Sequence, residues 1–281
     1  MKVHLSAKGK SNMLNLEQKY DILKKTIEDY GKVGIAFSGG VDSTFLLKVA
    51  HDILGDNAVA FTAAQRSVPA FELKEAEDFC KAEGIRQIVC EINELETPEF
   101  AKNPADRCYY CKRNVLSRIY DVAGELGITK IAEGSNVDDL GDFRPGRKAV
   151  KEYGALSPLL DAGLTKDEIR TLSKQLKLPT WDKPAYACLA SRIVRGEIIT
   201  EEKLRMIEKA EGFLIENGFR QMRVRVHGDL ARIEVLPENI EKIAQADFRK
   251  LLTEKFREFG FRYVSLDLEG YKLGSMNPKG V

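Results

Sequence analysis

The sequence predicts an α/β protein: a doubly wound parallel sheet followed by a smaller C-terminal α+β domain. Three observations predict it. Four short β-branched runs alternate with helical stretches between residues 33 and 134, the signature of strand–helix–strand units that close only as a parallel sheet with helices on both faces. A Ser-Gly-Gly turn joins the first run to the first helix. After about residue 195 the texture changes to strands that alternate strictly about a His-Gly-Asp turn.

The first dozen residues carry lysine and serine but no apolar stretch, so a flexible head is expected and no signal peptide is read. The buried strands are expected at VGIAF (33–37), AVAFTA (58–63), RQIVCEI (86–92) and TKIAEG (129–134), with helices near 43–54, 69–83 and 112–127. Thr165-Lys-Asp-Glu168 spells a capping box that opens a helix reaching about Leu176, and Leu178-Pro179 ends it. In the second domain, residues 201–217 read as an amphipathic helix with Leu204, Ile207 and Leu214 on one face. MRVRV (222–226) and ARIEV (231–235) form an antiparallel hairpin, followed by a helix over about 239–257 and a strand over 262–269. The expected organisation is a head at 1–12, a sheet domain at 13–185, an α+β domain at 186–272 and a flexible tail at 273–281.

Composition narrows the function classes. At 281 residues, 43% hydrophobic and 31% charged, the chain can bury a real core. A net charge of +1 gives little support to nucleic acid or an anionic membrane as partner, and no apolar run approaches the roughly 20 residues of a membrane span. Five cysteines, an odd count without a secretion signal, predict reduced thiols in the cytoplasm.

The most informative stretch is VGIAFSGGVDSTFLL (33–47). In the turn Ser38-Gly39-Gly40-Val41-Asp42-Ser43, glycines let backbone approach an anion, and the helix start offers unpaired N–H groups at the positive end of its dipole. Ser38 and Ser43 add hydroxyls, while Asp42 could hold Mg²⁺ or cap the helix. The lysine of a Walker A loop is missing. A second loop, Gly134-Ser135-Asn136-Val137-Asp138-Asp139, lies at another strand's C-terminal edge, where open α/β sheets bind ligands. Asn136 and Asp138 there suit either nucleotide contacts or ordinary turn capping.

The cysteines divide into two groups. Cys80, on a helix, and Cys90, alternating with Ile88 and Ile92 on a strand, read as core. Cys108 and Cys111 are expected in a polar loop running into a helix at Lys112-Arg113, a setting that stabilises thiolates. Cys188 lies in KPAYACLASRIVRGE (183–197) among Ser191, Arg192 and Arg195, an electropositive neighbourhood. Structural zinc wants four ligands, and neither His51 nor His227 is an obvious fourth. Three cysteines suit a [4Fe-4S] cluster with one iron open to sulfide; a disulfide relay with Cys188 as nucleophile competes with it. Alternation in MRVRV sends Arg223, Arg225 and His227 to the face opposite Met222, Val224 and Val226, joined by Arg232 and Glu234. Two guanidiniums roughly 7 Å apart could grip one phosphate, or pair with carboxylates on a solvated face.

SGGVDS resembles the PP-loop of the ATP pyrophosphatase superfamily. Together with EGSNVDDLGDFRPG (133–146), ACLASRI and RVRVHG, it makes the chain from about residue 14 to 272 similar to the LarE family of ATP-dependent sulfur transferases. The resemblance implies a PP-loop ATP pyrophosphatase domain at 13–185 and a substrate-binding domain at 186–272. The implied activity uses ATP and Mg²⁺ to adenylate a carboxylate of pyridinium-3,5-biscarboxylic acid mononucleotide. Oxygen is then replaced by sulfur to give a thiocarboxylate precursor of a nickel-pincer nucleotide cofactor. Ser38, Gly39, Gly40, Asp42, Ser43, Gly134, Asn136 and Asp138 are expected to bind ATP. Cys188 with Ser191 would act at the sulfur step, and Arg223, Arg225 and Arg192 would hold the substrate phosphate. Cys108 and Cys111 place the chain with members in which three cysteines hold a [4Fe-4S] cluster, rather than those that sacrifice one cysteine's sulfur. A homo-oligomer, for which a hexamer is one form, is implied as well; the sulfide donor is not. Two rival readings are a PP-loop tRNA thiolase with a similar cluster and a non-catalytic nucleotide-binding module with structural zinc.

Overall fold

The computed structural model describes residues 14–141, 145–184 and 187–272. The expected head and tail, and residues 142–144 and 185–186 of two of the quoted motifs, lie outside the described residues.

Helix α1 (Leu16–Tyr30) opens on a second capping box, one not anticipated from the sequence: Asn15 Oδ1 accepts from Gln18 N and Gln18 Oε1 from Asn15 N. The chain then runs β1 (Val33–Ala36), α2 (Val41–Leu54), β2 (Ala58–Ala64), α3 (Ala70–Glu83), β3 (Gln87–Glu91), the single turn α4 (Pro98–Ala101), α5 (Arg107–Glu125) and β4 (Ile131–Ala132). The strand order is β3-β2-β1-β4, all parallel. Alternation sorts the strand side chains to two cores. Val33, Ile35, Ala58 and Ala60 face α1, α2 and α3, whereas Val59, Phe61, Cys90 and Ile131 face Ile119 and Ala123 of α5. Both faces are therefore covered, as near-continuous apolar strands require. The connection from β4 back onto the α2 face passes α6 (Gly146–Tyr153), α7 (Pro158–Asp161) and α8 (Lys166–Gln175). At the start of α8, Thr165 and Glu168 make both bonds of the expected capping box.

The C-terminal unit is α9 (Glu201–Glu216), β5 (Met222–His227), β6 (Leu230–Val235), α10 (Ile240–Ala244), α11 (Ala246–Glu258) and β7 (Tyr263–Leu266). β5 and β6 pair antiparallel in the expected hairpin, and the helical crossover lets β7 run parallel to β6. The single helix expected over 239–257 is two, because Gln245 adopts an extended conformation (ψ 138°) and opens α11 anew. The C-terminal core also recruits Phe100, Leu95 and Cys111 from the first half of the chain, so the two units share apolar surface. No helix among the described residues is long and apolar enough to cross a membrane.

A further sequence expectation changes here, and one of the two readings of the arginine strand falls away. Cys108 and Cys111 do not lie in a loop: α5 starts at Arg107, after Arg107 N bonds Pro104 O and Tyr109 N bonds Asp106 O. The two cysteines thus share one face of its first turns. The arginine face of β5 is also not a solvated one. Arg223, Arg225 and Glu234 are all buried, because the turn at Leu189–Arg192 and Tyr271 pack over it.

Candidate active site

The turn after β1 is built for an anion. Gly39 takes φ +70°, which L side chains rarely adopt, and a Cβ there would lie 3.2 Å from the Ala76 Cβ of α3. Gly40 precedes the first helical residue, Val41, and no side chain caps the end, which leaves amide N–H groups of α2 directed into the turn. Ser38 and Ser43 hydroxyls meet at 3.0 Å, and Ser43 Oγ also accepts from Ser38 N at 3.2 Å. Asp42 is not the cap; its Oδ2 accepts from Lys166 Nζ at 2.6 Å. Gly39→Ala is expected to cost about 1–2 kcal/mol through the left-handed backbone and the Ala76 contact. The PP-loop resemblance further predicts a roughly tenfold loss of ATP affinity. An unchanged urea midpoint together with unchanged ATP affinity would count against this geometry.

The second loop abuts the first. A Cβ on Gly134 would sit 3.1 Å from Ser43 N, so only glycine lets the two loops touch. Asn136 and Asp138 serve as caps in this structure. Asn136 Oδ1 accepts from Asp138 N at 2.9 Å, and Asp138 Oδ2 accepts from Lys166 N at 2.6 Å. Lys166, at the start of α8, therefore ties Asp42 of one loop to Asp138 of the other, a link that sequence spacing could not show.

Two of the three outlying cysteines, Cys111 and Cys188, meet on one core, that of the C-terminal unit. Gln65, just after β2, bonds the Cys111 sulfur (Nε2 to Sγ 3.4 Å), while two residues on, Ser67 O accepts from Leu189 N at 2.9 Å. The end of β2 thus reaches both Cys111 and the Cys188 turn. Asn103, fully buried at φ +54°, donates its amide to the carbonyls of Ile193 (3.2 Å) and Val194 (2.8 Å) and accepts from Arg107; Arg107 also donates to Ala190 O at 2.9 Å. These bonds fasten the first turn of α5 to the segment that carries Cys188. Burial, and then the charge of Cys188, pushes the Cys111 thiol up to about 12, with Cys108 and the buried Glu94 adding to the effect. The expectation of a stabilised thiolate is not met at Cys111 in this structure, because burial is the largest influence on it. Among the described residues, no three His, Cys, Asp or Glu side chains converge closely enough to hold one metal ion. A zinc with about 2.3 Å bonds would need its sulfurs within about 3.8 Å of each other.

Arg192 is fully buried and its guanidinium is spent inside the protein. Nε and Nη2 pair with the two oxygens of Glu211 at 2.9 Å, and Nη1 donates to the carbonyls of Ala187 and Cys188 and to Ser191 Oγ. Placed this way, Arg192 shapes the Cys188–Ser191 turn from behind, with Nε, Nη1 and Nη2 each engaged by a protein acceptor. Arg225 pairs with Glu234 at 2.9 Å and donates to Ser191 O at 3.1 Å; Arg223 donates to Met222 O and lies over the Tyr271 ring at 5.1 Å. Ser191 is thus held by both Arg192 and Arg225.

No family model matches the chain. It is 44% identical over 262 residues to an uncharacterized protein of Synechocystis sp., covering 93% of this chain and 98% of that one. It is 35% identical over 266 residues to the pyridinium-3,5-bisthiocarboxylic acid mononucleotide synthase of Lactiplantibacillus plantarum, covering 94% of this chain and 96% of that enzyme. The chain belongs to the LarE family. A more distant likeness, 26% identity over 223 residues to one subunit of the glutamine-hydrolyzing GMP synthase of Pyrococcus furiosus (72% of this chain, 68% of that subunit), agrees with a PP-loop sheet for this LarE protein. Sequence reasoning missed Gln65, Asn103, Lys166 and Glu211, which hold the candidate site residues in place. Only Asn103 had a local signal, as the residue before a proline next to the CxxC; the others act through contacts with residues distant in sequence.

Proposed function

We propose that the chain is an ATP-dependent sulfur transferase. It adenylates a carboxylate of pyridinium-3,5-biscarboxylic acid mononucleotide, releases pyrophosphate, and exchanges oxygen for sulfur with release of AMP. One observation carries the reading: likeness to the synthase of Lactiplantibacillus plantarum extends over 94% of this chain, and so takes in the anion turn, the Cys188 turn and the arginine strand.

In this reading Gly39, Gly40, Ser38 and Ser43 cradle the triphosphate with backbone N–H and hydroxyl donors, so the α-phosphorus is held for attack by the substrate carboxylate. Asp42, Asn136 and Asp138 line the same edge, and Asp42, now bridged to Lys166, is the carboxylate that would hold Mg²⁺. Arg223 and Arg225 hold the substrate phosphate on the strand that also fixes Ser191. Adenylation converts a poor leaving group into AMP, and the Cys188 turn presents the sulfur side of the exchange.

Cys111 feels the charges of Cys188 and Cys108, and Cys111 and Cys188 pack on a common core, which supports soft thiolate ligation there. Cys108, Cys111 and Cys188 would hold a [4Fe-4S] cluster, which when bound supplies an iron open to exogenous sulfide. A reducing cytoplasm is the compartment proposed for these thiols. A homo-oligomer and a separate sulfide donor complete the proposal.

The test is ATP-dependent pyrophosphate release with pyridinium-3,5-biscarboxylic acid mononucleotide against unmodified tRNA. Release stimulated by the mononucleotide is expected. Stimulation by tRNA alone would replace this reading with a tRNA thiolase, and tight ATP binding with no release by either would leave a non-catalytic module.

A further inference from the structure

The first turn of α3 lies between the nucleotide turn and the C-terminal unit. On one side, a Cβ at Gly39 would stand 3.6 Å from Glu72 O and 3.2 Å from the Ala76 Cβ. On the other, Ala70 N donates to Glu208 of α9 at 2.7 Å. Within this turn Glu72 is anomalous: its Oε1 is buried and has no hydrogen-bond partner. A buried carboxyl oxygen without a donor is costly, so such atoms in native proteins call for an explanation.

The charges around it come from four elements. Lys183, in the segment after α8, Arg192 of the 189–192 turn and Arg223 of β5 favour the carboxylate, while Glu75 of the same helix opposes it. Lys183 is occupied elsewhere: its Nζ donates to Glu75 at 2.7 Å and to Gly39 O at 3.1 Å. Lys183 thus connects the anion turn to the helix that carries Glu72, without satisfying Glu72 itself. Burial outweighs the three cations and holds the Glu72 carboxyl up at about 7, where it changes charge near neutrality.

We propose that Glu72 is a proton-linked positioning residue: it takes up a proton when a nucleoside triphosphate occupies the Gly39 turn against which its helix packs, and releases it when the ligand leaves. The inference rests on the reading of that turn as the ATP site. A triphosphate brings several negative charges to the turn, and a like charge on Glu72 would then be disfavoured strongly at low local dielectric. The proton comes from solvent and no bond other than O–H is made. The neutral carboxyl gains an O–H donor, and Arg223 is freed from an anionic neighbour.

The experiment is calorimetry of MgATP binding to the full chain at pH 7.5 in buffers of different ionisation enthalpy. The wild type is expected to take up roughly half a proton or more per MgATP bound, with affinity falling up to about tenfold per pH unit above 7. Glu72→Gln, which keeps the shape and cannot ionise, should lose that uptake and flatten the pH dependence, whereas Glu75→Gln should retain both. The wild-type proton count decides by itself if the variant does not fold. MgATP binding with no uptake, or with the same uptake in Glu72→Gln, overturns the role of Glu72 and leaves the nucleotide site standing. Failure of MgATP to bind the wild type overturns the nucleotide site and this inference with it.

Discussion

Cys188→Ala is expected to lower thiocarboxylate formation by roughly 10³-fold or more while pyrophosphate release with the pyridinium mononucleotide continues. The separation follows from geometry. The turn at residues 38–43, proposed to cradle the triphosphate, is held by its own hydroxyls, by Gly134 and by Lys166, so it stays whole without the Cys188 thiol. The sulfur step has no such reserve. Cys188 begins the 189–192 turn, and its carbonyl, not its sulfur, accepts from Arg192 and Ser191 N. Alanine therefore keeps every backbone bond of the turn and removes only the sulfur, which makes the variant a clean chemical deletion. Mass spectrometry of the nucleotide product and a pyrophosphate assay read the two halves separately. Anaerobic reconstitution adds an independent measurement: the wild type should become brown, and iron should be lost in Cys188→Ala, Cys108→Ala and Cys111→Ala alike. Iron retained in Cys188→Ala, or zinc bound with no iron, would sink the cluster assignment.

The second large effect is on stability. Arg192→Ala should destabilise the protein by about 3–5 kcal/mol, because it leaves Glu211 buried beside an apolar core with its charge uncompensated. For a chain of this size that corresponds to a fall in Tm of roughly 6–20 °C. The loss should be structural in a particular place, since the guanidinium also holds the Ala187 and Cys188 carbonyls and Ser191 Oγ. The variant's residual folded fraction is expected to release pyrophosphate but transfer sulfur poorly. The paired change Arg192→Met with Glu211→Gln removes both charges and should recover more than half of the stability, leaving Val224 N an acceptor at the glutamine oxygen. Thermal and urea unfolding of the single and double variants measure this directly. A single-variant cost below about 1 kcal/mol would mean the pair is hydrated in solution and that the turn is fastened by other bonds.

Much of the sheet domain is legible in the sequence because its signals are local. Strands at 33–37, 58–63 and 86–92 are short apolar runs bounded by turn residues, and the structure keeps all three in place with small changes at their ends. The α8 capping box needs only residues 165–168, and both of its bonds form. The hairpin register around His227-Gly-Asp229 is fixed by alternation and turn length, so Arg223 does face Glu234. The start of α5 is not legible, because Asn103-Pro104 looks like loop. The helix begins five residues before Lys112, where tertiary bonds from Asn103 and Arg107 hold it.

The sequence by itself determined the strand order's raw material, the anion turn, and the residue types available for phosphate and sulfur chemistry, since each of these is encoded within a dozen neighbouring positions. Tertiary structure alone decided which of those residues meet one another. It buried Arg192 against Glu211, 19 positions away, and brought Cys111 and Cys188 onto one core from opposite ends of a long stretch of chain. It also left Glu72 Oε1 buried without a donor, in the field of three cations. The physical reason is that charge, thiol acidity and hydrogen bonding depend on what water is removed, and desolvation is set by packing between segments that the chain itself keeps far apart.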